Sequence, residues 1–406
     1  MKKTPKLRFK EFSGDWESKK LGSLLEFKNG INASKEQYGK GKKFINVLDI
    51  LSNNYITYEN IIGKVDVDDD IFEKYSVGYG DVVFQRSSET REEVGTANVY
   101  LDKEHKATFG GFIIRGKKIG EYDPIFMNKL LKTSSARKEI TTKSGGSTRY
   151  NVGQETLSDV EVKFPKLEEQ EKIASFFSLI DDKISLQREK VEALKDYKSG
   201  IIQKIFNKEL RFKDGDGRDY PEWEMKKLKS ILKEVSEKTK ENNQHDVISS
   251  TTNGLFLQKE YFNREIASSD NIGYKIIRKN QVVLSPQNLW MGNINFNEKY
   301  DIGIVSPSYK VFDINDKFDS KYIGYILRTQ RAFYEFMQSS EQGASIVRRN
   351  LNMDLFNEIS FDIPCKEEQI KISKFIGSID FKLEKEQEKL DYLNEYKKGL
   401  LQQMFV

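Results

Sequence analysis

The sequence predicts an α+β protein: two similar mixed α/β domains separated by two long helices that pair as an antiparallel coiled coil, a pseudo-two-fold internal repeat. Three observations predict it. The stretch "PKLEEQEKIASFFSLIDDKISLQREKVEALKDYKSGIIQKIF" at 165–206 returns at 364–405 as "PCKEEQIKISKFIGSIDFKLEKEQEKLDYLNEYKKGLLQQMF", identical at 18 of 42 positions without a gap. What surrounds each copy also recurs: "LRFK" at 7–10 and 210–213, "WESKKLGSLL" from Trp16 and "WEMKKLKSIL" from Trp223, "GDVVF" at 80–84 and "NQVVL" at 280–284, "RYNV" at 149–152 and "RRNL" at 348–351. Between these anchors, short β-like runs exchange with helical periodicities, the pattern of a mixed domain with a mostly antiparallel or mixed sheet.

The resulting partition is domain 1–164, helix 165–206, domain 207–363 and helix 364–406, with a break in the loop "KDGDGRDYPEW" after the first helix. In the first domain "KFINVLDI" (43–50), "DVVFQRS" (81–87), "GGFIIRG" (110–116) and "VEVKF" (160–164) read as strands. "PIFMNKLLKTSSARKEI" (124–140) and, in the second domain, "SKYIGYILRTQRAFYEFMQ" (320–338) read as helices. Segments 27–43 and 249–254, rich in Gly, Asn, Ser and Thr, read as loops.

Each long helix opens on a proline followed by two glutamates, which the helix dipole favours there. Ile173, Phe177, Ile180, Ile184, Val191, Leu194, Ile201 and Ile205 keep a 4-3 spacing, broken by polar Gln187 and Lys198. Ile372, Ile376, Ile379, Leu383, Leu390, Leu393, Leu400 and Met404 repeat it, broken by Glu386 and Lys397. That period marks a coiled-coil seam, and about forty residues make a rod of roughly 60 Å. Antiparallel pairing is the simpler connection, because a parallel one needs the second domain to carry the chain back along the rod. Phe176, Leu186, Ile202, Phe375 and Leu401 flank the seam and suit either a partner's helices or the chain's own domains.

Composition narrows the function classes. The 406 residues are 32% charged with mean hydropathy −0.65, yet hold 26 Phe and 19 Tyr, which suits folded domains with a wet surface. No run of eighteen apolar residues and no signal-like start are present, so no membrane span is expected. The lone Cys365 suits a reducing, cytoplasmic setting, and His105 and His245 lie in contexts without metal-ligand spacing, so no metal is expected. Net charge is only +4, so a polyanion must be met by local patches. Lys28, Lys35, Lys40, Lys42 and Lys43 form one such run, while Asp66, Asp68, Asp69 and Asp70 form an acidic turn read as solvated. No Walker loop, no adenine-methyltransferase tetrad and no glycine-rich S-adenosylmethionine loop is found; "TFGGF" at 108–112 lacks the spacing. No catalytic residues are assigned.

Two similar, non-identical heads on a rigid spacer suit DNA, whose backbone has local two-fold symmetry. The Trp-Glu-x-Lys-Lys-Leu openings, the "SGGSTRYNV" and "QGASIVRRNL" stretches and the Pro-x-x-Glu-Glu-Gln entry to each helix occur in order, twice. On these motifs the chain resembles, along essentially its whole length, the specificity subunits of type I restriction–modification systems. The resemblance implies one target-recognition domain per half of a bipartite DNA site, with the helices setting the gap. It also implies two modification subunits that bind S-adenosylmethionine and methylate adenine N6, and two restriction subunits that use ATP and Mg. No cofactor is expected on this chain itself. A free-standing DNA-binding or scaffold protein, or an enzyme whose motif is not visible, remain the other readings.

Groups able to meet phosphates or base edges select the candidate DNA-contact residues. The first set is Lys143, Ser144, Gly145, Gly146, Ser147, Thr148, Arg149 and Tyr150, with its counterpart Gln342, Gly343, Ser345, Arg348, Arg349 and Asn350. After the repeated strand come Arg86, Ser87, Ser88 and Arg91 in one domain and Gln287, Asn288 and Trp290 in the other. The early loops add Lys28, Asn29, Lys42 and Lys43, and Thr251, Thr252 and Asn253. Trp16 and Trp223 read instead as packing anchors where each domain meets the helices, and Trp290 as either core or a thymine-methyl contact.

Overall fold

The computed structural model describes residues 4–52, 54–146, 148–261, 270–342 and 349–406. They form two compact units, one holding the chain up to Glu189 together with Glu388–Val406, the other Lys190–Gln387. In the first, β1 (Leu25–Asn29), β2 (Val82–Gln85), β3 (Ala97–Val99) and β4 (Ile113–Lys118) make an antiparallel sheet ordered β1-β4-β2-β3. In the second, β5 (Leu232–Val235), β6 (Val282–Leu284), β7 (Ile294–Phe296) and β8 (Lys310–Ile314) follow the same order, β5-β8-β6-β7. The repeat read from scattered anchors is therefore a repeat of topology.

A helix pair follows each sheet: α1 (Pro124–Leu131) and α2 (Ser134–Lys143) in the first unit and, after the long α3 (Leu167–Phe206), α4 (Ser320–Ile326) and α5 (Gln330–Gln338) in the second. The sequence reads each pair as a single helix. The break comes from Thr133 and Thr329, whose hydroxyls accept the backbone N–H of Ala136 (3.3 Å) and Ala332 (3.2 Å) and so start a new helix.

Two other readings change. "KFINVLDI" is a strand only to Ile45; Val47–Ser52 is helical, because the Asn46 side chain accepts from Leu48 N (2.9 Å) and Asp49 from Asn46 N (2.8 Å). The segments taken for loops carry strands: β1 and Tyr38–Ile45 cover much of 27–43, and Ile248–Thr251 pairs with Gly254–Leu257 in a hairpin. Gly39 and Gly41 there sit at φ +94° and +84°, which a strand tolerates at a bulge, and the register of Tyr38–Ile45 shifts between Tyr38 and Lys42.

The repeated motifs fasten each head to its helix. Arg8 donates to both carboxylate oxygens of Glu169 (2.8 and 2.7 Å), and Trp16 Nε1 to the same group (3.4 Å). Arg211, Glu368 and Trp223 rebuild this with 3.0, 3.0 and 3.1 Å bonds. Gln170 accepts from Asp123 N and donates to Pro165 O, as Gln369 does with Asp319 N and Pro364 O. Both tryptophans are buried, the anchoring role the sequence predicts. Leu7 N donates to Gln403 O (2.9 Å) just as Leu210 N donates to Lys204 O (3.1 Å), so "LRFK" meets a helix end in each unit.

α3 and α6 (Lys366–Met404) run antiparallel within each unit: Asp181 meets Lys397 while Phe177 meets Phe405 in the first, and Lys190 meets Glu386 while Lys198 meets Asp380 in the second. Ion pairs thus occupy three of the polar seam positions, Lys198, Glu386 and Lys397, and fix the register. The seam residues are buried except Leu194, Ile201 and Leu383, which are half-buried. Ile205, Ile372 and Ile376 also belong to the second head's core, with Trp223, Leu228, Tyr322 and Phe361. Of the flanking residues, Phe176 packs on Phe9 and Phe375 on Phe212, both from "LRF", whereas Leu186 stays exposed. Among the described residues no helix is long and apolar enough to cross a membrane.

Candidate nucleic-acid interface

In the first unit folding joins two candidate segments that lie sixty residues apart. Ser87–Ser88 pairs antiparallel with Tyr150–Asn151, Val152 N donates to Arg86 O (3.0 Å), and Ser87 Oγ donates to Asn151 Oδ1 (2.6 Å). Gly145 and Asn151 exchange backbone hydrogen bonds of 3.0 and 2.8 Å, closing a tight hairpin. Gly146 is required by that turn: at φ +113°, a Cβ would lie 2.1 Å from Arg149 O. Of the two glycines of this hairpin, Gly145 has open space where a Cβ would stand.

The side chains divide by what they touch. Arg86, Thr148 and Arg149 are exposed, and Arg149's guanidinium has no hydrogen-bond or ion-pair partner among the described residues. Tyr150 is half-buried beside them. Arg91, by contrast, donates to Thr141 O (3.1 Å), Lys143 to Asp159 O (3.0 Å), Ser144 to Thr141 O (2.7 Å) and Ser88 to Glu93 (2.9 Å). These four hold the loops together. Ser147 lies outside the described residues.

The early basic run is neutralised in part from within. Lys40 meets Asp66 at 2.9 Å and Lys42 meets Asp69 at 3.0 Å, so the acidic turn folds back on it; the opposite charges segregated in sequence are joined in space. Lys43 donates to Ile61 O and lies over the Tyr58 ring. Lys28, on β1, donates to Lys74 O (3.3 Å) and stacks over Tyr75, and Asn29 is half-buried next to it.

The second unit joins its segments differently. Ser340–Gln342 pairs with Arg349–Leu351, Arg349 N donates to Gln287 O (3.3 Å), and the Arg349 guanidinium lies 4.6 Å over the Trp290 ring. Trp290 is half-buried in a short 3-10 turn, Leu289–Met291, that follows Asn288 and ends at Gly292 (φ +87°). Gln287 and Asn350 are exposed. Thr251 Oγ1 accepts from Asn253 N (3.1 Å) and donates to Gly254 O (3.1 Å), shaping the hairpin that presents exposed Thr252 and Asn253. Gly343, Ser345, Arg348 and the Gln342 side chain lie outside the described residues.

Two contributors escaped the sequence reading. Arg328 donates to the carbonyls of Thr252 (2.8 Å), Gly292 (3.3 Å) and Ile294 (3.2 Å) and to Asn295 Oδ1 (3.2 Å), tying the 251–254 hairpin to the 285–292 loop; burial lowers its pKa. It sits inside a helical run, with no local sign of its role. Phe112, in "TFGGF", is 64% exposed, and its carbonyl accepts from Arg86 N (2.9 Å). The alternation of "GGFIIRG" concealed it.

Among the described residues no group of three or more His, Cys, Asp or Glu could hold a metal ion. His105 instead stacks on Tyr58 (4.8 Å). What the arrangement offers is an exposed set of Arg, Thr, Gln and Asn groups on glycine-shaped loops, the kinds of side chain that meet phosphates and base edges.

One scaffold is built twice, with unlike loops at equivalent places. Residues 13–196 match the model of the type I restriction modification DNA specificity domain. The chain is 21% identical to a protein of Methanocaldococcus jannaschii named as the MjaX specificity subunit of a type I restriction enzyme, over 96% of this chain and 93% of the relative. It is 27% identical to the MjaIX specificity subunit of the same organism, over 54% and 52% of the two chains. Among solved structures, the S subunit of a type I restriction–modification system from M. genitalium shares the fold at TM-score 0.55 and 16% identity, covering 99% of both chains. A chain from a type I restriction–modification assembly shares it at 0.56 and 12% identity, covering 95% and 96%. The matched stretch 13–196 thus carries the type I restriction modification DNA specificity domain, and the chain is similar to a type I specificity subunit along nearly its whole length.

Proposed function

We propose that this chain is the DNA sequence-specificity subunit of a type I restriction–modification complex, with each unit reading one half of an asymmetric, split duplex site. The observation that carries it is a single sheet topology used twice under different groups: exposed Arg86, Thr148 and Arg149 on one, exposed Gln287 with half-buried Trp290 and Arg349 on the other. Arg donates as a fork to guanine O6 and N7, and Gln donates from Nε2 to adenine N7 while accepting at Oε1 from adenine N6–H. The paired helices set the gap between half-sites.

The chain performs no catalysis itself. Two modification subunits carry S-adenosylmethionine and methylate adenine at N6, and two restriction subunits use ATP and Mg to cleave. Exposed Leu179, Leu186, Phe381 and Tyr392 on α3 and α6 offer apolar footing for the modification subunits. The complex works in the cytoplasm.

The test is to express the chain with its partner subunits, map methylated adenines across a genome, then exchange residues 1–160 for those of a relative. One half of the mapped site should change while the other persists. Change in both halves, or in neither, overturns the two-reader assignment; a chain that purifies without partners and supports no methylation leaves a free-standing DNA binder.

A further inference from the structure

We infer that the first unit carries a phosphate-binding pocket, absent from the second, in which Lys28 and Arg115 supply the cationic floor. The two residues are direct cross-strand partners in β1 and β4, so both side chains project from one face of the sheet. Arg115 also stands opposite Val83. In the second unit the residue opposite Val283 is Val311, and its partner on β5 is Val235. The same two positions are therefore Lys and Arg in one head and Val and Val in the other. There Val311 is wholly buried with Ile248, Ile277, Val283 and Val305, and Val235 packs against them. The scaffold closes over valines at this place without help, so its stability does not call for the cations.

In the first unit the same face opens on a cavity of about 790 Å³. Besides Lys28 and Arg115 its walls hold Lys74, Lys106, Lys117 and Lys118. Three carboxylates share these walls: Glu73 pairs with the wall's own Lys106 (2.8 Å), Asp81 accepts the backbone N–H of Gly78 (2.9 Å) and Lys118 (2.8 Å), and Glu26, like Asp81, favours the Arg115 cation from a distance without an ion pair to it among the described residues. Arg115 is only 6% exposed, donates to Ser76 O, and forms no ion pair among the described residues. Its buried Nε has no hydrogen-bond partner in the protein. Lys28 likewise contacts a carbonyl and an aromatic ring and no carboxylate. Burial lowers the pKa of both, and for Lys28 the like charges of Lys74 and Arg115 add to it.

A buried guanidinium with an idle donor, beside an ammonium and in direct contact with no carboxylate among the described residues, is satisfied by an oxyanion that accepts from several donors. Phosphate fits that description, and the cavity is larger than one phosphate needs, so the group is carried on a larger molecule: a phosphodiester of the DNA or the phosphate of a free nucleotide. The first source rests on the function proposed above; the second does not.

The double variant Lys28→Val with Arg115→Val copies the residues of the second unit and so retains the fold. The full-length chain and this variant are titrated with pyrophosphate by phosphorus NMR and thermal shift, then with the methylation-mapped duplex across a salt series. Pyrophosphate should broaden its own resonance and raise the melting temperature of the wild-type chain, and do neither in the variant. If the phosphate is DNA's, the slope of log affinity against log salt also falls by about one in the variant; an unchanged slope with a lost pyrophosphate response assigns a nucleotide. A lost slope alone supports the DNA source. The pocket is overturned if the variant matches wild type in both titrations, and the pyrophosphate arm decides even if no duplex binds.

Discussion

Each head meets the helices through the same kinds of residue, and the two junctions agree at one end and differ at the other. Arg8, Trp16 and Glu169 correspond one for one to Arg211, Trp223 and Glu368. About three helical turns further along, Asp181 is met by buried Lys129 and by half-buried Lys397 (2.6 Å) and the Tyr55 hydroxyl (2.8 Å). Its counterpart Asp380 is met by Lys198 (2.5 Å) and the Tyr325 hydroxyl (2.6 Å). The second unit's Tyr325 thus takes the place of the first unit's Lys129. The invariant part is the fastening; the part that differs carries an additional buried charge in the first unit. Residues that a motif search singles out here are structural, and the heads diverge beyond them.

The largest effect tests the fastening. Glu169→Ala leaves the Arg8 guanidinium and Trp16 indole without their shared acceptor, and Glu368→Ala does the same to Arg211 and Trp223. Each should cost about 3 kcal/mol in urea unfolding followed by tryptophan fluorescence. The comparison predicts equal losses. A loss under about 1 kcal/mol for one and not the other would mean that the two fastenings are not equivalent.

The buried charge gives a smaller, pH-dependent difference. Burial, with the nearby Lys397 and only partly offset by Asp181, lowers the Lys129 pKa to about 8. For Asp181 burial works upward, and Lys129 and Lys397 outweigh it, holding the carboxyl below its ordinary range. An unfolded chain keeps Lys129 at its ordinary 10.5. Between the two values the unfolded state binds a proton that the folded state has released, so stability rises with pH by up to about 1.4 kcal/mol per unit. Unfolding followed from about pH 7.5 to 9.5 should show that rise in the wild-type chain and a smaller one in Lys129→Met, the remainder belonging to Lys132, whose pKa burial, with Lys129 and Lys397 beside it, lowers to about 7. Tyr325→Phe should leave the rise intact, since burial pushes the Tyr325 hydroxyl further up, away from this window. A rise that survives Lys129→Met undiminished belongs to another group.

Local signals carried the frame into view and non-local ones hid the site. The helices, their seam and the duplicated strands are written in residues whose period or offset can be counted along the chain. Even the seam's interruptions were visible as Lys198 and Lys397, though not that each faces an aspartate, because the partner helix lies about two hundred residues away. The same reason hid the pairing of Ser87–Ser88 with Tyr150–Asn151 and the cancelling of Lys40 and Lys42 by Asp66 and Asp69. A run of lysines is a field only if no carboxylates fold onto it. Arg328 and Phe112 were obscured for a different reason: each lies inside a regular-looking run whose period says nothing about which single residue points outward or reaches a carbonyl.

The finest difference lies at the tips. Arg149 is exposed and unpaired among the described residues, free to follow a phosphate, whereas Arg349 is held over the Trp290 ring at 4.6 Å. An arginine oriented by stacking presents its fork in one direction, as base reading requires; a loose one supplies charge. Arg149→Ala should therefore lower the salt slope of duplex binding by about one with little loss of sequence discrimination. Arg349→Ala should lose about 1–3 kcal/mol of preference for the mapped half-site. Arg349→Lys keeps the charge and removes the planar fork, so it should hold the slope near wild type while the discrimination stays lost. If lysine restores discrimination, Arg349 acts through charge alone and the stacking on Trp290 is packing.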